Sequence, residues 1–237
     1  MMEKFDAIIL AGGLGTRLRT SVSDLPKALA PVNGKPFLDF VLHSLDQSDC
    51  VENVVIAVGF MADKIINRYE NVKNYGFNIT FSVEKELMGT GGAIKKALKL
   101  TNSNDILVLN GDSYVDIDMQ SFFTMHKSKN AQITIAIKEV ENANRYGKVN
   151  ILEDGLITSF EEKVLNQSSG YINAGVYLFK RELFDSVEEN KILSLEKDLL
   201  PTMIKSNAYG FICKGKFIDI GIPETFEIAS TYLKDKH

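Results

Sequence analysis

The sequence predicts an α/β fold with a largely parallel sheet, and three observations lead there. Four apolar residues, Ala7 to Leu10, run without a polar break into a glycine-rich turn. Strand-like and helix-like segments then alternate along the chain. Finally, 237 residues with 45% hydrophobic and 24% charged content suffice for one ordinary globular domain with a sizeable core.

Each element has its own warrant. Ala7 to Leu10 reads as a strand covered on both faces, since an uninterrupted apolar run leaves no side for water. From Pro36, the residues Phe37, Phe40, Val41 and Leu45 recur at steps of three and four, which places them on one face of a helix. A strand over Val54 to Gly59 follows, then a helix over Met61 to Tyr69, a strand over Asn78 to Val83, a helix over Gly91 to Leu100, and a strand in "DILVLNGDS". This is a βαβ rhythm. The second half changes character: "AQITIAIKEV" predicts a long strand, and "YGKVNILEDGLITSFEEK" two short strands joined by a hairpin turn at Asp154-Gly155. "GYINAGVYLF" predicts another strand. A helix over Leu195 to Ile204, short strands in "GFI" and "GKFIDIG", and a helix from Pro223 to near Lys234 complete the series.

Charge and composition exclude several function classes. With 27 Lys+Arg against 31 Asp+Glu, the net charge of -4 gives no broad basic surface for nucleic acid or anionic lipid. Any phosphate site must be local. The opening "MMEKFDAIILAGG" is too short and too interrupted for a secretory core, and no run approaches ~18 apolar residues, so a cytoplasmic location is expected. Cys50 and Cys213 lack metal-ligand spacing and read as buried thiols.

The stretch "IILAGGLGTRLRT", Ile8 to Thr20, has the ingredients of a phosphate loop: backbone N–H groups that oxygens can approach closely, followed by arginines. A dinucleotide fingerprint fails because Leu18 stands where the third glycine belongs, and a Walker A loop fails because Gly34-Lys35 is followed by Pro36. The neighbourhood is more specific. "LAGGLGTRL" and "LPKALAPVNGKPFLDF" together resemble the sugar-1-phosphate nucleotidyltransferases, with Pro26, Lys27, Leu29, Pro31, Lys35 and Pro36 filling that family's second motif. "EKELMGTGGAI", "LNGDS", "FEEK", "INAGVYLF" and "FIDIGIPETF" continue the resemblance in order to the C-terminus.

The resemblance implies a Rossmann-like three-layer nucleotidyltransferase fold with a mixed, mainly parallel central sheet. It also implies a single domain, residues 1–237, with nucleotide-binding residues up to about 115, sugar-binding residues from about 116, and no C-terminal β-helix domain. The reaction implied is attack of a sugar 1-phosphate oxygen on the α-phosphorus of a nucleoside triphosphate, with pyrophosphate leaving. The nucleophile is already ionised at neutral pH, because a phosphate monoester has a second pKa near ~6. Charge is therefore the obstacle, and cations with correct positioning should dominate.

Arg17, Lys27 and Asp112 are the catalytic candidates: Arg17 for the β- and γ-phosphates, Lys27 between the α-phosphate and the sugar phosphate, Asp112 with Asp219 as ligands of Mg²⁺. Leu10, Ala11, Gly12, Gly13, Gly15, Thr16, Arg17, Glu84 and Gly89 form the nucleotide set, with Gly89 letting the base lie close to the chain and Glu84 accepting from guanine. Tyr146, Gly147, Glu162, Lys163, Asn173 and Gly175 form the sugar-phosphate set. Asp116 and Asp118 read as solvated or helix-capping. Within the family, "SDLPKALAPVNGKPFLDFVL" and "LMGTGGAI" look most like the guanylyltransferases of D-glycero-D-manno-heptose 1-phosphate. UTP-, dTTP- or CTP-dependent transferases for other sugars, and a non-catalytic nucleotide-sugar-binding protein, are the alternatives. The partners expected are an NTP and a sugar 1-phosphate, with no nucleic acid or membrane, and with a homo-oligomer left open.

Overall fold

The computed structural model describes residues 4–16, 18, 24–144, 146–162 and 169–234. Ala7 and Ile9 enter one apolar core and Ile8 another, so the opening run is a strand, β1 (Phe5–Leu10), covered on both faces. After it come a small hairpin, β2 (Pro31–Val32) and β3 (Lys35–Pro36), then α1 (Phe37–Ser48), β4 (Val51–Val58), α2 (Ala62–Tyr69), β5 (Asn78–Val83) and α3 (Gly89–Ala97). β6 (Asp105–Asn110), β7 (Ser113–Val115), α4 (Met119–Ser128), β8 (Ile133–Val140), β9 (Lys148–Ile151), β10 (Ile157–Glu161) and β11 (Gly170–Lys180) follow. α5 (Leu200–Met203), β12 (Ala208–Ile212), β13 (Phe217–Asp219) and α6 (Pro223–Tyr232) end the series.

The alternation seen in β1 recurs in β4, where Val54, Ile56 and Val58 face one core and Val55 and Ala57 the other, and in β6. Three layers result. α1, α2, α4 and α6 supply Phe37, Ile65, Phe122 and Ala229 to one core; α3 and α5 supply Ile94 and Leu200 to the other. β5, β4, β1 and β6 pair in parallel at the centre, and β11 adds to β6 antiparallel. β8, β9, β10 and β12 extend this mixed sheet beyond β11.

β11 carries the feature that matters most for the site. Asn173 pairs with Ile137 and Tyr177 with Ile135, so β11 advances four residues while β8 advances two. The bulge between them contains Gly175, whose φ is +76°.

Several elements besides the β2–β3 hairpin differ from expectation. α4 emerges after Asp118, whose carboxylate accepts the Ser121 N–H at 3.0 Å as an N-cap, so the capping alternative for Asp118 holds. β7 is a separate short strand paired with β13. The helix expected over Leu195 to Ile204 is a π-helical turn over Leu195–Leu199 followed by α5. Pro201 has no N–H for the regular helical ladder, and the winding changes at that place. Among the described residues, no helix is long and apolar enough to cross a membrane.

Candidate active site

Two cavities open where the parallel strands end, the position at which open α/β sheets hold ligands. The first, about 440 Å³, is lined by Leu10, Ala11, Gly12, Gly13, Gly15, Thr16, Glu84 and Gly89, which is the expected nucleotide set without Arg17. The second, about 420 Å³, is lined by Tyr146, Gly147, Glu162, Asn173 and Gly175, the expected sugar set without Lys163. Arg17 and Lys163 lie outside the described residues. Lys27, Gly89, Thr90, Asn110, Asp112 and Glu196 line both cavities and form their common wall.

The glycine loop is pinned by backbone bonds from neighbouring strands: Ala11 N–H donates to the Ala57 carbonyl at 2.9 Å, and Gly111 N–H to that of Leu10 at 2.9 Å. A Cβ at Gly12 would lie 2.6 Å from Glu84 Oε1, so the loop rests directly on that carboxylate. Glu84 is 8% exposed, and its Oε2 accepts the Met88 N–H at 2.9 Å. Burial pushes the Glu84 carboxyl above its ordinary range, against the opposing pull of the Met88 N–H and Lys96. At Gly89, φ is +68° and a Cβ would stand 2.5 Å from the Leu193 carbonyl oxygen. Close approach does demand glycine there, and the group that approaches is the chain's own backbone.

The shared wall carries the charges. Pairing of β13 with β7 sets Asp219 opposite Ser113, and the Ile220 N–H donates to the Asp112 carbonyl at 3.0 Å, which brings Asp112 and Asp219 together. Lys27, in a short 3₁₀ turn, reaches between them: its Nζ lies 2.5 Å from Asp112 Oδ2 and 3.6 Å from Asp219 Oδ1. Asp219 Oδ1 also accepts the Gly221 N–H at 2.5 Å. Two carboxylates, one in the turn between β6 and β7 and one at the end of β13, offer hard oxygen donors. Among the described residues, no group of three or more His, Cys, Asp or Glu could hold a metal ion. A pair of carboxylates is a donor set that Mg²⁺ takes, its shell being completed by water and substrate phosphate.

On the opposite side, the Asn173 N–H donates to the Gly147 carbonyl at 2.8 Å, holding the bulge of β11 against the Tyr146-Gly147 turn. The Tyr146 ring meets Phe217 edge-on at 5.6 Å. Sequence reasoning missed Thr90, Asn110, Ser194, Glu196, Lys197 and Phe217, all of which line the second cavity. Thr90 lies in "EKELMGTGGAI" beside Gly89, and Asn110 in "LNGDS" two residues before Asp112. Glu196 lies in "LSLEKDLL", a segment whose sequence pattern signals only a helix.

A three-layer α/β fold with a glycine loop, and a lysine and two carboxylates at the wall between two cavities, defines an enzyme class that brings two phosphate-bearing substrates together. The chain belongs to the nucleotidyl transferase family, whose sequence model matches residues 6–236. A D-glycero-alpha-D-manno-heptose 1-phosphate guanylyltransferase of Aneurinibacillus thermoaerophilus is 38% identical over 97% of this chain and 98% of its own. One of Campylobacter jejuni is 40% identical over 93% and 96%. The crystal structure of HddC from Yersinia pseudotuberculosis superposes with a TM-score of 0.85 at 35% identity, covering 96% of this chain and 98% of that one. HddC has also been solved in complex with GMP-PN.

Proposed function

We propose that the protein transfers GMP from GTP to D-glycero-α-D-manno-heptose 1-phosphate and releases pyrophosphate. The observation that carries this reading is the shared wall: Lys27 touches both carboxylates at the junction of two cavities of similar size. The choice of GTP and heptose is supported by the two nearly full-length relatives that bear that activity in their names.

The chain's own residues divide the work. The Leu10 to Gly12 backbone and Glu84 bind the base, while the loop N–H groups and Arg17 hold the phosphates. Glu162, Asn173 and Lys163 bind the acceptor, residues up to about 115 serving mainly the nucleotide and those from about 116 mainly the sugar. Lys27 brings the α-phosphate and the acceptor phosphate together, screening their mutual repulsion as the bond to pyrophosphate breaks. When held by Asp112 and Asp219, Mg²⁺ supplies further positive charge for the phosphates. We read the enzyme as cytoplasmic and its product as an activated donor for surface polysaccharide synthesis.

A matrix of GTP, UTP, dTTP and CTP against a panel of sugar 1-phosphates, followed by pyrophosphate release, tests the reading. GTP with the heptose phosphate should be the best pair. A pyrimidine triphosphate as best donor would refute the guanylyltransferase assignment, and no release with any pair would point to a binding protein.

The metal assignment makes a separate prediction. Asp112→Asn and Asp219→Asn should each raise the Mg²⁺ concentration needed for half-maximal activity, because each replaces a charged oxygen ligand by a neutral amide. EDTA should abolish wild-type turnover. Undiminished turnover in EDTA excludes the two-aspartate site.

A further inference from the structure

A strap of backbone connects the two cavities. It crosses the glycine-rich start of α3, where the N–H groups of Gly91 and Gly92 donate to the Leu193 carbonyl at 2.8 and 3.3 Å and the Leu193 N–H donates to the Met88 carbonyl at 2.9 Å. A Cβ at Gly92 would lie 2.4 Å from the Lys191 carbonyl oxygen, so the crossing admits no side chain there. The strap then delivers Glu196 onto the shared wall.

The Glu196 carboxylate is held from both sides. Thr90 Oγ1, in the first turn of α3, donates to Oε2 at 2.9 Å and accepts the Leu195 N–H at 2.7 Å; Ser194 Oγ donates to Oε2 at 3.2 Å. The Tyr177 hydroxyl donates to Oε1 at 3.4 Å. Tyr177 is fully buried, and burial keeps its phenol protonated by pushing it well above the usual tyrosine range. Its oxygen accepts from Asn173 Nδ2 at 2.6 Å, and Asn173 Oδ1 accepts the Gly175 N–H at 3.0 Å.

This chain of bonds has one direction. A carboxylate can only accept, so Tyr177 must donate to Glu196 and must therefore accept from Asn173. Flipping the Asn173 amide would set its NH₂ against the Gly175 N–H and demand the proton that Tyr177 gives to Glu196. The Gly175 N–H sets the orientation of the amide, and the Glu196 carboxylate, by accepting the Tyr177 proton, leaves the tyrosine oxygen free to accept from it.

We propose that Glu196 is a positioning residue for the acceptor: through Tyr177 it braces the Asn173 amide, whose orientation the Gly175 N–H sets, at the second cavity, and through Thr90 it ties that arrangement to the start of α3 lining the first. The proposal rests on the reading above, in which the second cavity receives the sugar phosphate.

Tyr177→Phe keeps the ring and cuts the relay. At saturating GTP, KM for the heptose phosphate should rise about 10-fold while KM for GTP stays within about 2-fold. Glu196→Gln should show the same split, because it replaces the charged acceptor of the Tyr177 and Thr90 hydroxyls by a neutral, weaker one. Calorimetric titration of each variant with the heptose phosphate, in the presence of a non-hydrolysable GTP analogue, should show the same weakening without turnover. Thermal melting identifies a variant that does not fold; if Tyr177→Phe is such a one, Glu196→Gln carries the test. An unchanged acceptor KM in the folded variants, or equal rises in both KM values, overturns the relay. If the wild type prefers another nucleotide and sugar, the functional reading falls, and the same variants assayed on that pair decide the relay separately.

Discussion

Lys27→Ala is expected to lower kcat by about 10²-fold or more while changing the KM for GTP far less. The argument starts from position. Lys27 is only 12% exposed in its side chain, and its Nζ lies 2.5 Å from Asp112 and 3.6 Å from Asp219. A Cβ at Gly221 would stand 3.1 Å from that Nζ, so the ammonium is enclosed by backbone as well as by acids. Such a group needs little reorganisation when charge moves between two phosphates beside it, which is the condition under which an electrostatic contribution is largest. In the proposed function, ground-state binding of GTP draws on the loop N–H groups and on the base pocket, neither of which Lys27 supplies. Single-turnover rates with preformed enzyme and GTP separate the two effects. A variant with wild-type turnover at saturating substrates shows that Lys27 serves as a counter-ion for the two aspartates and does not act on the reacting phosphates.

The elements that proved legible in the sequence share a physical property. β1, β4 and β6 are covered on both faces, so burial writes continuous apolar runs into their sequences. The glycine loop and the set Lys27, Asp112 and Asp219 were legible through ordered motifs, although their meeting depends on β7 and β13, three-residue strands with no periodic signature. Glu196 was not legible. Its place is fixed by a strap crossing glycines distant in sequence, and at Gly89 it is the Leu193 carbonyl of that strap that leaves no room for a side chain. Asp105 was equally hidden, because a single charge at the start of an apolar strand does not disclose which cations the fold will bring to it.

Those cations make Asp105→Asn the largest expected loss of stability outside the site. Asp105 is 2% exposed at the start of β6, with Lys127 Nζ at 2.6 Å, Lys180 Nζ at 2.8 Å and His126 Nε2 at 3.6 Å. Lys180 faces it across the β6–β11 ladder, and Lys127 comes from the last turn of α4, so one carboxylate ties a helix to two strands. Breaking a buried pair costs about 3–5 kcal/mol, but the side chains of Lys127 and Lys180 are 41% and 23% exposed and can partly rehydrate, so a loss of about 2–3 kcal/mol is expected. In a chain of this size that corresponds to a fall in Tm of about 4–12 °C. The pH dependence gives the sharper test. Burial by itself would raise the Asp105 carboxyl, yet His126, Lys127 and Lys180 together hold it well below the usual carboxylate range. A carboxyl depressed in the folded state stabilises fully above its unfolded value, near ~4, and loses that contribution as pH falls toward the folded value. The Tm difference between wild type and Asp105→Asn should therefore narrow as pH falls below about 4. Asp6 is also held low: burial raises its carboxyl, but the N–H groups of Asn102 and Ser103 and the Asn53 amide outweigh it. Both proteins keep Asp6, so its acid loss cancels in the difference and the narrowing reports Asp105 with the groups packed against it. A difference that stays constant down to pH 3 would show that the folded carboxyl is not depressed and that the variant's instability comes from packing.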